Sequence, residues 1–255
     1  MVNIQPKTLF VGKNLVFLPS CHSTNDIASE IIQNNEFIDG TVILTDHQTA
    51  GKGQRGNVWE STPGENLLMS ILIKTSYVKI ERQFDLSIAV AVSVFEALNA
   101  CKVPNLSIKW PNDIYINQKK IGGILIENSI LGQKMGNSII GIGLNIHQTI
   151  FENPKASSLI LESPKMTFER DTIIEQICEC LEYNLGILKE GKTDIQKQKY
   201  SDNLFAINEQ RFFKTSEGIM QGKITGITEN GLLKLISQNK EKYYNIKEIE
   251  YLFND

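Results

Sequence analysis

The chain has 255 residues, 41% hydrophobic and 22% charged, enough for one large domain or for a medium domain plus a small one with a real core. Its net charge of −3 and pI near 5.8 exclude a general attraction to nucleic acid, so any basic site is local. Four cysteines (Cys21, Cys101, Cys178, Cys180) without a CxxC spacing offer no disulfide or metal framework, and neither a signal peptide nor an apolar run of membrane-spanning length stands out. These features give the expectation of a cytoplasmic protein with reduced thiols.

In chain order, Ser23-Thr24-Asn25-Asp26 precedes the apolar residues of 27–32, with Asp26 three positions after Ser23, the pattern of a helix N-cap. Residues 41–45 read as a strand. Gly51-Lys52-Gly53-Gln54-Arg55-Gly56-Asn57-Val58-Trp59 then packs three glycines, two cations and a tryptophan into one loop. Glycine lets backbone N–H groups approach a ligand, the cations suit an anion, and the indole offers a face to a flat ring. The run also fits the bare dinucleotide pattern GxGxxG, but residues 57–64 read as a turn and 67–73 as a buried strand, so the helix that pattern needs is missing. No Gly-Lys-Ser/Thr ends the loop, which excludes a Walker sequence.

Residues 85–100 predict a mostly buried helix. Extended segments follow at 107–110 and 113–116 around Pro111, then strands at 121–127 and 138–145. A long helix over 172–190 carries an apolar stripe, with Thr172 and Glu175 spaced as a capping box and Gly191 placed to end it. Past Ala206 the chain turns into short strand-like runs at 210–213, 219–228, 232–236 and 242–246, with Asn230-Gly231 as a hairpin signal. The expected organisation is α+β with a mostly antiparallel sheet over residues 1–206 and a small β module over 207–255.

Three more segments carry chemistry. Lys109-Trp110-Pro111-Asn112-Asp113 puts a cation, an amide and a carboxylate around a turn. Lys120-Ile121-Gly122-Gly123 places an ammonium beside glycines at the mouth of a strand, and Gly141-Ile142-Gly143-Leu144-Asn145 ends a small-residue strand on an amide. Taken singly, 109–113 reads better as a turn with a packed indole and 141–145 as a tightly packed strand, and Lys120 has the plain reading of a hairpin lysine. His22, His47 and His147 flank these motifs without a Ser or Cys partner at a recognisable spacing and read as structural.

Together and in this order, Ser23-Thr24-Asn25, Gln48 with the 51–59 loop, 109–113 with Lys120 and Gly123, and 141–145 resemble the biotin protein ligases. The resemblance covers residues 23–145. It implies a catalytic domain like the class II synthetases followed by an SH3-like β-barrel. It also implies a two-step reaction in which biotin is activated by ATP, with Mg²⁺, as biotinyl-5′-AMP and then passed to a lysine of a biotin carboxyl carrier domain.

In that scheme Lys120 contacts the reacting carboxylate and α-phosphate, and Lys109 and Arg55 supply further phosphate contacts. Ser23, Thr24, Asn25 and Gln48 line the biotin site, Lys52, Gly53, Gln54 and Gly123 close it, Trp59, Asn112 and Asn145 meet the nucleotide, and Asp113 helps to hold Mg²⁺. Two departures stand out. Many family members carry arginine where this chain has Gln54, which leaves Arg55 or Lys52 to retain the adenylate. Only 22 residues precede the first motif, too few for the winged helix of bifunctional members, so a monofunctional ligase without DNA binding is expected, as a monomer or homodimer and without a membrane. Lipoate ligases and octanoyl transferases share the architecture and are the nearest rival reading; a non-catalytic biotin- or nucleotide-binding module is the other.

Overall fold

The computed structural model describes Val2 and residues 4–253, except for the side chain of Arg55. The first part runs β1 (Leu15–Leu18), α1 (Thr24–Gln33), β2 (Val42–Thr45), β3 (Asn66–Lys74), α2 (Gln83–Ala100), β4 (Leu106–Lys109), β5 (Asp113–Ile116), β6 (Lys119–Leu131), β7 (Lys134–Asn145), α3 (Leu159–Glu162), α4 (Arg170–Lys189) and α5 (Asp194–Asp202). The remainder is all strand: β8 (Gln210–Thr215), β9 (Gly218–Ile227), β10 (Leu233–Ser237), β11 (Lys240–Tyr244) and β12 (Ile249–Leu252). The mixed, mostly antiparallel architecture expected from the sequence is present.

Strands β1 to β7 form a seven-stranded sheet in the order β1-β2-β3-β7-β6-β5-β4, parallel at β1–β2 and antiparallel elsewhere. Its two faces are built differently, and strand alternation shows how. Ile140, Ile142 and Leu144 of β7 and Leu67, Met69 and Ile71 of β3 point into the main core with α2 and α4. The opposite face carries α1, which packs Ala28 against Ile43, Leu72 and Ile139. Beyond the N-terminus of α1 the same face carries Gly141 and Gly143 beside Leu68, and the two glycines are too small to fill it. A hollow therefore opens where the helix stops.

Ile80–Ala100 is long and apolar enough to span a membrane by composition, which corrects the expectation that no such run exists. Most of it is buried here, as expected of a core helix that is apolar all round. A second correction concerns α4. It begins at Arg170, so Thr172 and Glu175 lie inside the helix and form no capping box. Glu175 accepts the backbone N–H of Gln5 instead, and Glu182 accepts those of Leu9, Phe10 and Val11. Gly191, with φ +73°, follows the helix end as the sequence suggests.

Strands β8 to β12 make a five-stranded antiparallel sheet in the order β11-β10-β9-β8-β12. It meets the first sheet through an aromatic cluster: Phe205 lies 5.3 Å from Tyr115 and 6.0 Å from Tyr251, centroid to centroid.

Candidate active site

Over the small-residue face lies a cavity of about 210 Å³. Its inner end carries no cation and is densely hydrogen-bonded. Ser23, Thr24 and Asn25 sit at the start of α1, each almost fully buried. Ser23 occupies the N-cap position in an extended conformation, yet among the described residues its side chain caps no N–H, which leaves the hydroxyl at the cavity. Gln48 Oε1 accepts from Thr24 N at 2.8 Å and from Thr24 Oγ1 at 3.1 Å. Ser70 Oγ lies 2.7 Å from Thr24 Oγ1 and 2.6 Å from Asn25 Oδ1, and Asn25 Nδ2 donates to Glu127 Oε2 at 2.6 Å. Such a chain presents oriented donors and acceptors without net cationic charge, which suits a polar, uncharged ring.

The glycine loop forms the lid. Trp59 N donates to Gly51 O at 3.0 Å and Gly53 N to Asn57 O at 2.7 Å, with a 3₁₀ turn at Gln54–Gly56 between them. Lys52 is ion-paired with Asp26 in the first turn of α1, which ties the lid to the wall and takes Asp26 out of any capping box. The Trp59 indole lies on the sheet. A methyl group at position 143 would come within 2.5 Å of its Cε2, so only glycine lets the ring settle there.

The outer end is cationic. Lys120 is the second residue of β6; its N–H donates to Lys155 O at 2.9 Å and its carbonyl accepts from Ser157 N at 2.8 Å, which fixes the backbone. Its Nζ lies 2.7 Å from Asp113 Oδ1 and 5.6 Å from the Trp59 ring centre. Asn112 bonds Ile124 O through its side chain and accepts Ile124 N at 3.0 Å through its carbonyl.

The predicted residues Ser23, Thr24, Asn25, Gln48, Lys52, Gly53, Gln54, Trp59, Asn112, Asp113, Lys120 and Gly123 thus meet in one cavity. Lys109 and Asn145 do not line it in this way. Lys109 holds its Nζ over Tyr251 at 4.6 Å and Tyr115 at 5.6 Å. Burial pulls its pKa below the usual lysine value, and the nearby Lys120 and Lys155 add to that against the pull of Asp113. Asn145 follows Gly141 and Gly143 on the same face of β7 but does not line the cavity; it donates from Nδ2 to Ser157 O at 2.9 Å, so it braces the segment that holds Lys120. The Arg55 side chain lies outside the described residues.

Asn145 Oδ1 and Trp59 Nε1 are buried without a hydrogen-bond partner among the described residues, an arrangement that costs free energy unless a ligand satisfies it. The histidines stay apart from the cavity, His147 against Phe168 O and His22 beside Asp26 and Glu30. Among the described residues no group of three or more His, Cys, Asp or Glu could hold a metal, and Asp113 is engaged by Lys120. The residues present do not fit a resident Mg²⁺.

Ser70 and Glu127 join the site although no motif announced them. Ser70 is hidden in the apolar run of β3, and its register opposite Gly141 is visible only once the strands pair. Glu127 is two places past Leu125 on the cavity face of β6.

The family model for biotin/lipoate A/B protein ligases matches residues 17–145, the segment that builds this cavity. The chain belongs to that family. It is 32% identical over 250 residues to the bifunctional ligase/repressor BirA of Bacillus spizizenii, covering 96% of this chain and 76% of that protein. The biotin–[acetyl-CoA-carboxylase] ligase of Mycobacterium tuberculosis is 33% identical over 127 residues, 48% of this chain and 46% of that one. Among solved structures, a biotin protein ligase from Aquifex aeolicus in complex with biotin and ATP superposes with a TM-score of 0.78 at 26% identity, covering 95% of this chain and all of that one. The superposition covers both sheets of this ligase.

Proposed function

We propose that this protein attaches biotin to a lysine of a biotin carboxyl carrier domain by way of biotinyl-5′-AMP. The observation that carries the reading is one cavity with a cation-free hydrogen-bonding end and a lysine at the other, closed by a glycine lid. Ser23, Thr24, Asn25 and Gln48 hold the ureido ring. The biotin carboxylate then points at Lys120. In the first step a carboxylate oxygen attacks the α-phosphorus of ATP, the bond to the bridging oxygen breaks, and pyrophosphate leaves. In the second the acceptor amine attacks the acyl carbon, loses a proton, and AMP leaves. Both steps build negative charge beside the Lys120 ammonium, which stabilises the transition state more than the ground state.

Trp59 and Asn145 offer their unpartnered groups to the nucleotide, and Asn112 borders it. Lys109, held behind Asp113, contributes through its field and Arg55 from the lid; Arg55 or Lys52 retains the adenylate in place of the arginine absent at position 54. Mg²⁺ arrives on ATP, since magnesium commonly binds through phosphates and few protein ligands. The relatives named for biotin ligation and the Aquifex complex with biotin and ATP support biotin as the acyl substrate.

The partition of strands into two sheets supports a catalytic domain over 1–206 and a second domain over 207–255, for which an SH3-like barrel is the form proposed. The compartment proposed is the cytoplasm, and a net charge of −3 speaks against a general attraction to DNA.

ATP–pyrophosphate exchange measured with biotin, lipoate and octanoate tests the assignment. Exchange with biotin alone is expected. Exchange driven by lipoate or octanoate instead would move the protein to the rival branch, and tight biotin binding with no exchange would make it a binding module.

A further inference from the structure

Trp110, Pro111 and Asn112 form the turn between β4 and β5, and Pro111, Asn112 and Asp113 line the cavity. Three distant parts of the chain hold this turn. Tyr200 of α5, fully buried, donates its hydroxyl to Pro111 O at 2.9 Å. Ile124 of β6 bonds Asn112, as above. The third hold comes from the small sheet: the buried Trp110 donates Nε1 to Gly231 O at 2.9 Å, across 121 residues of sequence.

Gly231 lies in the connection between β9 and β10 with φ +82°, and a Cβ there would overlap the Phe84 ring of α2. Phe84 stands edge-on to Tyr200, with centroids 6.2 Å apart. Two of the holds therefore touch, and any side chain at 231 must push the connection away from both Phe84 and Trp110.

We propose that Gly231 is a positioning residue for the reaction. Its carbonyl fixes Trp110; the turn then sets Asn112 and Asp113, and Asp113 sets the Lys120 ammonium. The second sheet thus acts on the chemistry through one main-chain oxygen. This rests on the reading of Lys120 as the group that meets the reacting carboxylate and α-phosphate. The biotin end is tied separately, through Thr24, Gln48, Ser70 and Asn25, so the hold bears on activation and not on biotin affinity.

The test uses the full chain as Trp110→Phe, Gly231→Ala, Phe84→Ala and the double variant Phe84→Ala/Gly231→Ala. Biotin Kd is measured by calorimetry and kcat by biotin-dependent pyrophosphate exchange. Trp110→Phe keeps a ring and removes the donor; its kcat is expected to fall roughly tenfold with biotin Kd within about twofold. Gly231→Ala is expected to lose as much, and the double variant to exceed Gly231→Ala, because the missing ring makes room for the methyl. Independent packing losses would add instead. Parental kcat in Trp110→Phe, a Kd that weakens as far as kcat falls, or a double variant no better than Gly231→Ala would each overturn the proposal. Failure of the functional reading is distinct: the unsubstituted protein would then show no exchange with biotin.

Discussion

Gly143→Ala probes the lid and the floor of the cavity together. The added methyl would lie 2.5 Å from Trp59 Cε2, 2.7 Å from Cζ2 and 3.0 Å from Cδ2, inside contact distance of three ring atoms. The floor cannot yield, since residue 143 is paired on both sides, with Leu68 of β3 and Gly123 of β6. The indole must therefore leave. Overpacking of this kind costs about 1–3 kcal/mol. Displacing the ring also removes it from Lys120, 5.6 Å away, a contact worth ~0.5–1 kcal/mol at an exposed site. Because the ring forms a wall of the ligand site, most of this cost is expected in binding: adenylate affinity should weaken roughly 5- to 150-fold at about 1.4 kcal/mol per decade. Calorimetry with a non-hydrolysable biotinyl-adenylate measures it, and near-ultraviolet circular dichroism reports the ring's movement. An alanine variant with parental affinity and an unchanged aromatic spectrum would refute the claim that Gly143 seats Trp59.

Lys120→Met is expected to lower pyrophosphate exchange about 10²- to 10³-fold while biotin still binds, because the lost ammonium serves the charge formed in the transition state; a loss confined to biotin Kd would contradict this. Lys109→Met is expected to raise the melting temperature at pH 7. The folded state lowers this lysine's pKa, mainly by burial, so the unfolded chain binds more protons between the folded value and the ordinary 10.5, and stability rises with pH across that window. The advantage of methionine should therefore shrink as pH climbs through it, and a variant less stable at pH 7 would refute the sign. Burial also pushes the Cys178 thiol to about 12 and, more weakly, Cys180 to about 11. Iodoacetamide at pH 8 is expected to leave both unmodified until the protein unfolds, as mass spectrometry of peptides would show; rapid native labelling of Cys178 would contradict its burial.

Most of the site was legible because its residues sit in short local motifs whose chemistry does not depend on long-range pairing. Lys120 with Gly123, and the glycine loop with Trp59, are of this kind. What escaped is non-local. Ser70 reads as one polar residue in an apolar run until β3 pairs with β7 and sets it against Asn25. Lys109 carries the same charge as Lys120 and sits in a sharper motif, yet it packs under Tyr251, a residue from the last strand that no local pattern links to it. In the fold, long periodic segments such as α2 and β3 were plain. Short edge elements were not: β1, α5 and β12 have too few residues for a period to show, and their positions come from β2, α2 and β8, against which they pair or pack. The capping box at Thr172 failed because α4 gained another half-turn and its acidic residues bonded the N-terminal segment.

The central claim is that one cavity activates biotin and hands it to a carrier lysine. The direct measurement is the intact mass of a recombinant biotin carboxyl carrier domain incubated with this protein, biotin and MgATP. The account predicts a gain of one biotinyl group at a single lysine, with AMP formed in equal amount and both products formed about 10²- to 10³-fold more slowly by Lys120→Met. An unchanged carrier mass alongside tight biotin binding, or the same gain at an unchanged rate with Lys120 removed, would contradict it.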